Sequence, residues 1–448
     1  MMLLPENIRF CMERLGNAGF TAYAVGGCTR DSLLGLTPHD YDLCTSATPE
    51  QMHRIFSDFP LVTNGEKHGT VSVVMDKELV EITTYRVEGG YRDNRHPDFV
   101  RFVPDVKEDL ARRDFTVNAI AYRPEEGYVD PFGGQADLDR KILRTVGDPE
   151  TRFREDALRI LRGVRFAVKY GLTPEKTTLS AMLALTPLLD HLARERVFDE
   201  LCKLLPLVKW EDLTFYAPIL TRVLPELAPS VGFQQHSPHH AYDVFVHTAH
   251  VVENVPDALP LRWAALLHDV GKPACYTEDE TGRGHFYGHA EESARLAGEA
   301  LRRLKAPNVL RERVVFLIAH HMTPLPPDKK ILRRRLGKYG EEAVWQLLAL
   351  QRADFGSKGT GVDEPENFEN VASLLREILA EGACLTLKDL AISGSDLAAM
   401  GFAPGKAFGD CLTYLLSQVQ DESLPNTREA LLPEAKRVMK SGELKAES

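Results

Sequence analysis

A glycine pair, Gly26-Gly27, closes the short apolar run Tyr23-Ala24-Val25 and is followed, after Cys28-Thr29-Arg30-Asp31, by Asp40-Tyr41-Asp42-Leu43. Two glycines at a strand end let the backbone approach a ligand more closely than any side chain permits. Carboxylates at i and i+2 on a strand share one face, where they repel unless a cation sits between them. A turn that accepts phosphate, followed by a clamp for a hard metal, is what phosphoryl or nucleotidyl transfer requires. The order strand, glycine turn, helix, second strand also restricts the fold to an α/β or α+β unit. Each half taken alone is a common turn or acidic loop; it is their order and spacing that carry the functional reading.

At 448 residues the chain exceeds what one core can serve, and its length predicts about three domains. No apolar run approaches the roughly 18 residues of a membrane span. The segment Met1-Met2-Leu3-Leu4-Pro5-Glu6 lacks a basic n-region, so no signal peptide is expected. Seven cysteines without a Cys-x-x-Cys pair predict free thiols in a reducing cytoplasm. The net charge of −11 argues against a general nucleic-acid binder. Local sign differs, however: residues 139–170 hold nine bases against five acids, and 329–338 hold six bases and no acid. Such patches either guide an anionic polymer or form solvated helix faces.

Along the chain, a helix is expected over 5–15 and strands over 23–25, 41–44, 70–75, 79–85 and 100–103. Thr48 caps a helix that begins with Pro49. The polar, glycine-containing stretch 86–97 reads as a mobile loop. Glu81, on the strand before it, is a candidate third carboxylate but reads as a surface glutamate. The adjacent Arg112 and Arg113 suit a triphosphate and a braced carboxylate, or an ordinary salt-bridged helix.

The segment 152–166 is the second informative stretch. Apolar Ala157, Leu161, Val164 and Val168 recur at helical period and predict a buried stripe. Asp156 and Arg159, at i and i+3, are expected side by side on another face. Acceptors on one and a planar donor fork on the other match the Watson–Crick edge of a base, or pair with each other at the surface. Arg162 and Arg165 continue the basic row toward a triphosphate. The stretch 173–229 is helical and apolar, with no chemistry visible.

Ten of the fifteen histidines then fall within 86 residues, from His236 to His321. The expected metal set is His247, His268, Asp269, His289, His320 and Asp354, with His320 taken over His321. A His-Asp dipeptide inside an apolar helix is hard to explain without a metal. Burying that carboxylate without a cation costs several kcal/mol. Near the end, Gly401 to Gly409 opens a helix that either grips a phosphate or is simply capped.

The motifs Gly26-Gly27-x-x-Arg30-Asp31, Asp40-x-Asp42, Arg112-Arg113-Asp114-Phe115-Thr116-x-Asn118-Ala119 and Glu155-Asp156-x-x-Arg159 through Arg165-Phe166 run in order over the first 170 residues. With them the chain resembles the class II tRNA nucleotidyltransferases, the bacterial CCA-adding enzymes and their poly(A) polymerase relatives. The resemblance implies that Asp40 and Asp42 are catalytic and hold Mg2+. It implies triphosphate contacts from Gly27, Arg30 and Arg113, and a protein template for the CTP or ATP base made by Asp156 and Arg159. The loop 90–97 resembles the flexible loop of members that add the terminal A. The segment 392–426 resembles the tail that grips the tRNA elbow. The block from 239 to 354 resembles an HD-type phosphohydrolase domain, holding a divalent transition metal or Mg2+.

The expected architecture is therefore α+β: a small mixed-sheet nucleotidyltransferase head (1–145), an all-α neck (146–228), an HD helical domain (229–360) and a helical tail (361–448). The expected activity is template-independent addition or repair of the tRNA 3′-terminal CCA from CTP and ATP, in the cytoplasm, with no membrane partner. The alternatives are an A-adding-only enzyme, a poly(A) polymerase, or a metal phosphohydrolase acting through the HD block.

Overall fold

A computed structural model describes residues 2–75, 77–89, 99–238, 240–360 and 367–441. The expected loop 90–97 and His239 lie outside the described residues. The chain divides into two compact units, 1–228 with 301–306, and 229–300 with 307–448.

The first unit begins with a helix (Glu6–Asn17) and the strand β1 (Ala22–Val25). A short helix (Gly27–Leu33) leads to β2 (Asp42–Thr45). A helix at Pro49–Ile55 follows, capped by Thr48 through a reciprocal capping box with Gln51. Next come β3 (Leu61–Val62), β4 (Thr70–Met75), β5 (Glu78–Thr84), β6 (Arg86–Gly89) and β7 (Phe99–Phe102). After a helix at Val106–Ala111 the head closes with β8 (Ala121–Arg123) and β9 (Gly127–Val129).

Seven strands form one mixed sheet in the order β3-β4-β5-β2-β1-β8-β9. Within it only β2 and β5 run parallel, with Leu43 opposite Ile82. β6 and β7 form a separate antiparallel hairpin. Arg86 to Gly89, expected as loop, is thus a strand, because its backbone groups pair with Phe99–Phe102.

All four residues of β1 are buried, because both faces of the sheet are covered. Ala22 and Ala24 join a core with Ile8, Leu15, Met52 and Phe56. Tyr23 and Val25 point the other way, to Tyr85, Val106 and Leu110. The strand period of two, with apolar residues at every position, produces this double burial.

The unit continues in helices, of which Pro149–Glu155, Leu158–Tyr170 and Arg194–Leu204 bear on the site. The expected continuous helix through Asp156 is broken. Asp156 is extended (φ −145°, ψ 103°), and its carboxylate accepts from the Leu158 amide. Its carboxylate therefore starts the second helix and does not ride on a shared helix face with Arg159.

The second unit is helical. Val244–Asn254, Leu259–Leu267, His289–Arg303, Asn308–His320 and Glu341–Gly356 carry the histidine-rich segment. Between them lies the basic helix Lys329–Tyr339. Asn367–Ala380, Gly394–Ala399, Lys406–Gln420 and Arg428–Ser441 complete it.

Candidate active site and metal centres

The glycine turn takes its shape from one residue. Gly26 has φ +83°, and a Cβ there would lie 2.9 Å from the guanidinium of Arg113. At Gly27 a Cβ would meet only Arg30, at 3.6 Å. Gly26 is therefore the position that only glycine fits, while at Gly27 a side chain would be in ordinary contact with Arg30.

Val25 pairs with Asp42 across β1 and β2, and the parallel register of β2 and β5 sets Asp42 beside Glu81. Asp42 has a carboxyl pKa above the usual range: desolvation by the surrounding chain acts first, then the charges of Glu81 and Asp40, with Arg113 opposing. Glu81 thus joins the two expected carboxylates, near enough that its charge and that of Asp40 both bear on Asp42. Glu81 was legible in sequence only through its place on the strand after Met75. A cleft of about 820 Å³ opens beside them, lined by His39, Asp40, Asp42 and Glu81 among others. Oxygen ligands on a crowded anionic face are the donor set of a hard divalent cation, so these residues fit Mg2+.

The two adjacent arginines divide. Arg112 is tied to Asp109 (2.8 Å) and Glu88 (3.2 Å). Arg113 lies beside Gly26, 3.6 Å from Asp109, with its Nε buried and unpartnered. Arg30 differs from what its motif implies. It is 5 % exposed, donates to Asp31, Asn118 and the Tyr170 hydroxyl, and stacks on the Tyr170 ring at 4.1 Å. Four of its five N–H groups are thereby taken within the protein, leaving one for a triphosphate.

In the neck, Asp156 is gripped by both ends of the Arg196 fork (3.2 and 2.8 Å). Arg159 turns instead to Glu155 (2.6 Å) and to the Arg152 carbonyl (3.0 Å). Arg165 donates to Glu200 at 2.5 Å. Arg196 and Glu200, one turn apart on Arg194–Leu204, thus fix both Asp156 and Arg165; nothing in the sequence marked either residue. Arg162 is paired with buried Asp114 at 2.7 Å. Burial would raise the Asp114 carboxyl, but Arg162 and the Asn118 amide outweigh it and hold it well below the usual carboxylate range.

The second unit brings together seven titratable side chains. His247, His268 and Asp354 form one group, and Asp269, His289 and His321 another; in each, one ligand atom per residue lies within 4.8 Å of the others. Asp269 joins them. Its Oδ2 is 3.2 Å from His268 Nε2 and 3.5 Å from His247 Nε2, and its Oδ1 is 3.6 Å from His289 Nε2. His289 and His321 face each other through Nε2 atoms 3.3 Å apart. The seventh group is Lys272, whose Nζ donates to Gln235 Oε1 (2.9 Å) and forms an ion pair with Asp269 Oδ2 at 2.7 Å.

His247 Nε2, His268 Nε2 and Asp269 Oδ2 are all buried and make no hydrogen bond, only ion-pair contacts with one another, with Asp354 (3.0 Å from His247) and with Lys272. Imidazole and carboxylate atoms aimed at one another without a hydrogen bond are what a divalent ion satisfies. Burial would push His268 toward its neutral form, but Asp269 and Asp354 hold its pKa above the usual value. The residues present therefore fit a metal. The ring orientations are already fixed, since His268 Nδ1 meets the Ala265 carbonyl and His321 Nδ1 the Ile318 carbonyl, both at 2.7 Å.

His320, expected as a ligand, lies outside the cluster; His321 takes its place. His321 follows the last residue of Asn308–His320 and turns inward, 3 % exposed. About 100° of helix rotation sends its neighbour elsewhere: His320 packs between Phe316 (4.6 Å) and Tyr339 (5.0 Å).

The two sites define a nucleotidyltransferase head joined to a helical body. Residues 22–144 match the family model of the poly A polymerase head domain. Residues 171–229 match that of a probable RNA and SrmB-binding site of polymerase A. Residues 287–435 match a putative tRNA nucleotidyltransferase domain 2. The CCA-adding enzyme of Latilactobacillus sakei is 33% identical over 95% of this chain and 96% of that one. That of Limosilactobacillus fermentum is 33% identical over 97% and 98%. The crystal structure of the Bacillus stearothermophilus CCA-adding enzyme in complex with CTP aligns over 98% of this chain and 99% of that chain, at 27% identity and a TM-score of 0.72. The chain belongs to the CCA-adding enzyme family, within the tRNA nucleotidyltransferases. Among the described residues no helix is long and apolar enough to cross a membrane.

Proposed function

We propose that this chain is a template-independent tRNA nucleotidyltransferase that builds or repairs the 3′-terminal CCA from CTP and ATP in the cytoplasm. One juxtaposition carries the reading: Asp42 stands between the strand that ends in the glycine turn and the strand bearing Glu81, while Arg113 flanks Gly26. Asp40, Asp42 and Glu81 would hold Mg2+, which when bound acidifies the RNA 3′-hydroxyl and offsets charge on the α-phosphate. Arg113, which flanks Gly26, and the backbone at Gly27 receive the triphosphate. Arg162 and Arg165 add positive charge where pyrophosphate leaves. Asp156 and Arg159 present acceptor and donor edges to the incoming base, the first oriented by Arg196. Arg30 chiefly ties the glycine-turn helix to Asn118 and the neck. Residues 1–145, 146–228, 229–360 and 361–448 serve as head, neck, HD domain and tRNA-binding tail.

The test is incorporation on tRNA transcripts ending before CCA, after C and after CC, with labelled CTP or ATP. Stepwise completion to CCA is expected. Addition of A alone, or of a long A tract, overturns the reading. Asp42→Ala abolishes incorporation; normal rates in that variant refute the assignment of the metal site.

A second activity rests on three buried atoms of the histidine cluster that make no hydrogen bond. We assign His247, His268, Asp269, His289, His321 and Asp354 to a metal phosphohydrolase centre, with Asp269 offering one oxygen to each group. Metal content of the full chain dialysed against Mn2+ tests it, and His268→Ala lowers that content while sparing CCA addition.

A further inference from the structure

His240 is one of the clustered histidines to which no role has yet fallen. It lies seven residues before His247, on the turn that leads into Val244–Asn254, and borders the two ligand groups without belonging to either. The residue is partly exposed, yet its Nδ1 is buried and makes no hydrogen bond. Its ring centroid stands 5.0 Å from that of His247, with the planes at 85°. His289 and His321, which share one ligand group, stand at 5.2 Å and 68°. Two imidazoles on one ion, with nitrogens about 2.1 Å from it, place their centroids about 4.6–5.3 Å apart at coordination angles of about 90–109°. A T-shaped contact alone is ordinary ring packing. A buried, bare imidazole nitrogen is not, because it has given up water and gained no partner.

The backbone holds His240 in this place. The Ala241 N–H donates to the Lys358 carbonyl (2.9 Å), four residues beyond Asp354. Gln235 spans the same turn, donating from Nε2 to the Tyr242 carbonyl (3.1 Å) and accepting from Lys272 at Oε1 (2.9 Å). Asp243 caps the following helix through the Val246 N–H (2.8 Å). The turn is thus tied to the segments that carry His247, Lys272 and Asp354. Burial first, then the charges of Lys272 and His247, push the His240 pKa down to about 3, with Asp269 and Asp354 opposing. The ring is therefore neutral, the form in which imidazole binds a metal. Among the described residues no hydrogen bond holds it, so rotation about its side-chain bonds is free to bring Nδ1 onto an ion.

We propose that His240 is a further metal ligand, supplying Nδ1 to the ion held by His247, His268 and Asp354. The inference rests on the metal-centre reading above and adds a seventh residue to the six assigned there. His247 and His268 are fully buried, whereas the Asp354 side chain is 19% exposed. His240 therefore completes the group on the side where solvent would otherwise compete for the ion.

The full chain is stripped of metal and titrated with Mn2+, and free Mn2+ is read by electron paramagnetic resonance. His240→Ala is compared with His240→Phe, which keeps a ring packed against His247 and removes both nitrogens. Both variants weaken binding of one Mn2+ at least about tenfold. Loaded with Co2+, both show an altered visible absorption band, which reports the number and kind of donors. Wild-type Mn2+ affinity in His240→Phe reduces the residue to packing and overturns the proposal, as does unaltered affinity in both variants. If His268→Ala loses Mn2+ while the His240 variants keep it, the metal centre stands and His240 alone is excluded from it. Wild-type protein that binds no Mn2+ refutes the centre itself, and the role of His240 with it.

Discussion

Replacing Arg196 by alanine separates the recognition of the base from the catalysis of its transfer. Arg196 holds the Asp156 carboxylate by two parallel bonds, with the two side chains 25% and 17% exposed. Removing one partner of a fully buried pair costs about 3–5 kcal/mol; partial exposure here reduces the cost to folding to roughly 1–2 kcal/mol. The larger effect is on selectivity. Once the fork is gone the carboxylate keeps only the Leu158 amide and rotates about χ2, so it no longer presents a fixed acceptor pair. Loss of one well-aligned bidentate contact to a base is worth about 1–3 kcal/mol of discrimination, or roughly 5- to 150-fold. Single-turnover incorporation of each of the four nucleotides by Arg196→Ala should show that narrowing, mostly by a fall in the rates for CTP and ATP. Arg196→Lys, which keeps the charge and loses the planar fork, should fall between. Unaltered discrimination with the pair removed refutes the claim that Arg196 sets the geometry of Asp156.

Glu81→Gln removes one of the repelling carboxylates and one oxygen donor of full charge, so half-maximal incorporation should require about tenfold more Mg2+; an unchanged Mg2+ dependence excludes Glu81 from the site. Asp114→Ala leaves Arg162, whose side chain is 36% exposed, without its partner and should lower unfolding free energy by roughly 1–2 kcal/mol, read from denaturant titration. Because the native Asp114 carboxyl lies below its unfolded value, its stabilisation is complete above about pH 4 and is lost as pH falls further. Asp114→Asn should accordingly show a flatter decline of Tm in acid. His321→Ala should lose Mn2+ that His320→Ala keeps, as measured by elemental analysis of dialysed protein.

The head was legible because its chemistry lies on consecutive short elements. Gly26, Asp40 and Asp42 sit within 17 residues, although β2 begins only at Asp42 and Asp40 lies just before it. Glu81 entered the site through a parallel pairing of β2 with β5, and strand partners are not written in a local pattern. The neck misled for a related reason. The spacing of Asp156 and Arg159 fits a helix surface, but the helix breaks at Asp156, and each side chain finds another partner. Arg196 and Glu200 act across helices and left no local signal. His268-Asp269 declared itself by a charge in an apolar run. The choice between His320 and His321 turned on one residue of helix phase at a C-terminus, where boundaries shift most easily.

The packing of Arg30 carries a consequence for how selectivity changes between successive additions. Its guanidinium fastens the glycine-turn helix to Asn118, and through Tyr170 to the helix that bears Arg159, Arg162 and Arg165. Asn118 in turn shares Asp114 with Arg162. The glycine turn and the helix whose arginines are proposed to serve the nucleotide thus hang on one braced frame. A swing of head against neck would tear this buried network apart. On the proposed roles, a switch from C to A that keeps these bonds is made by rotations of single side chains and by the growing RNA end itself.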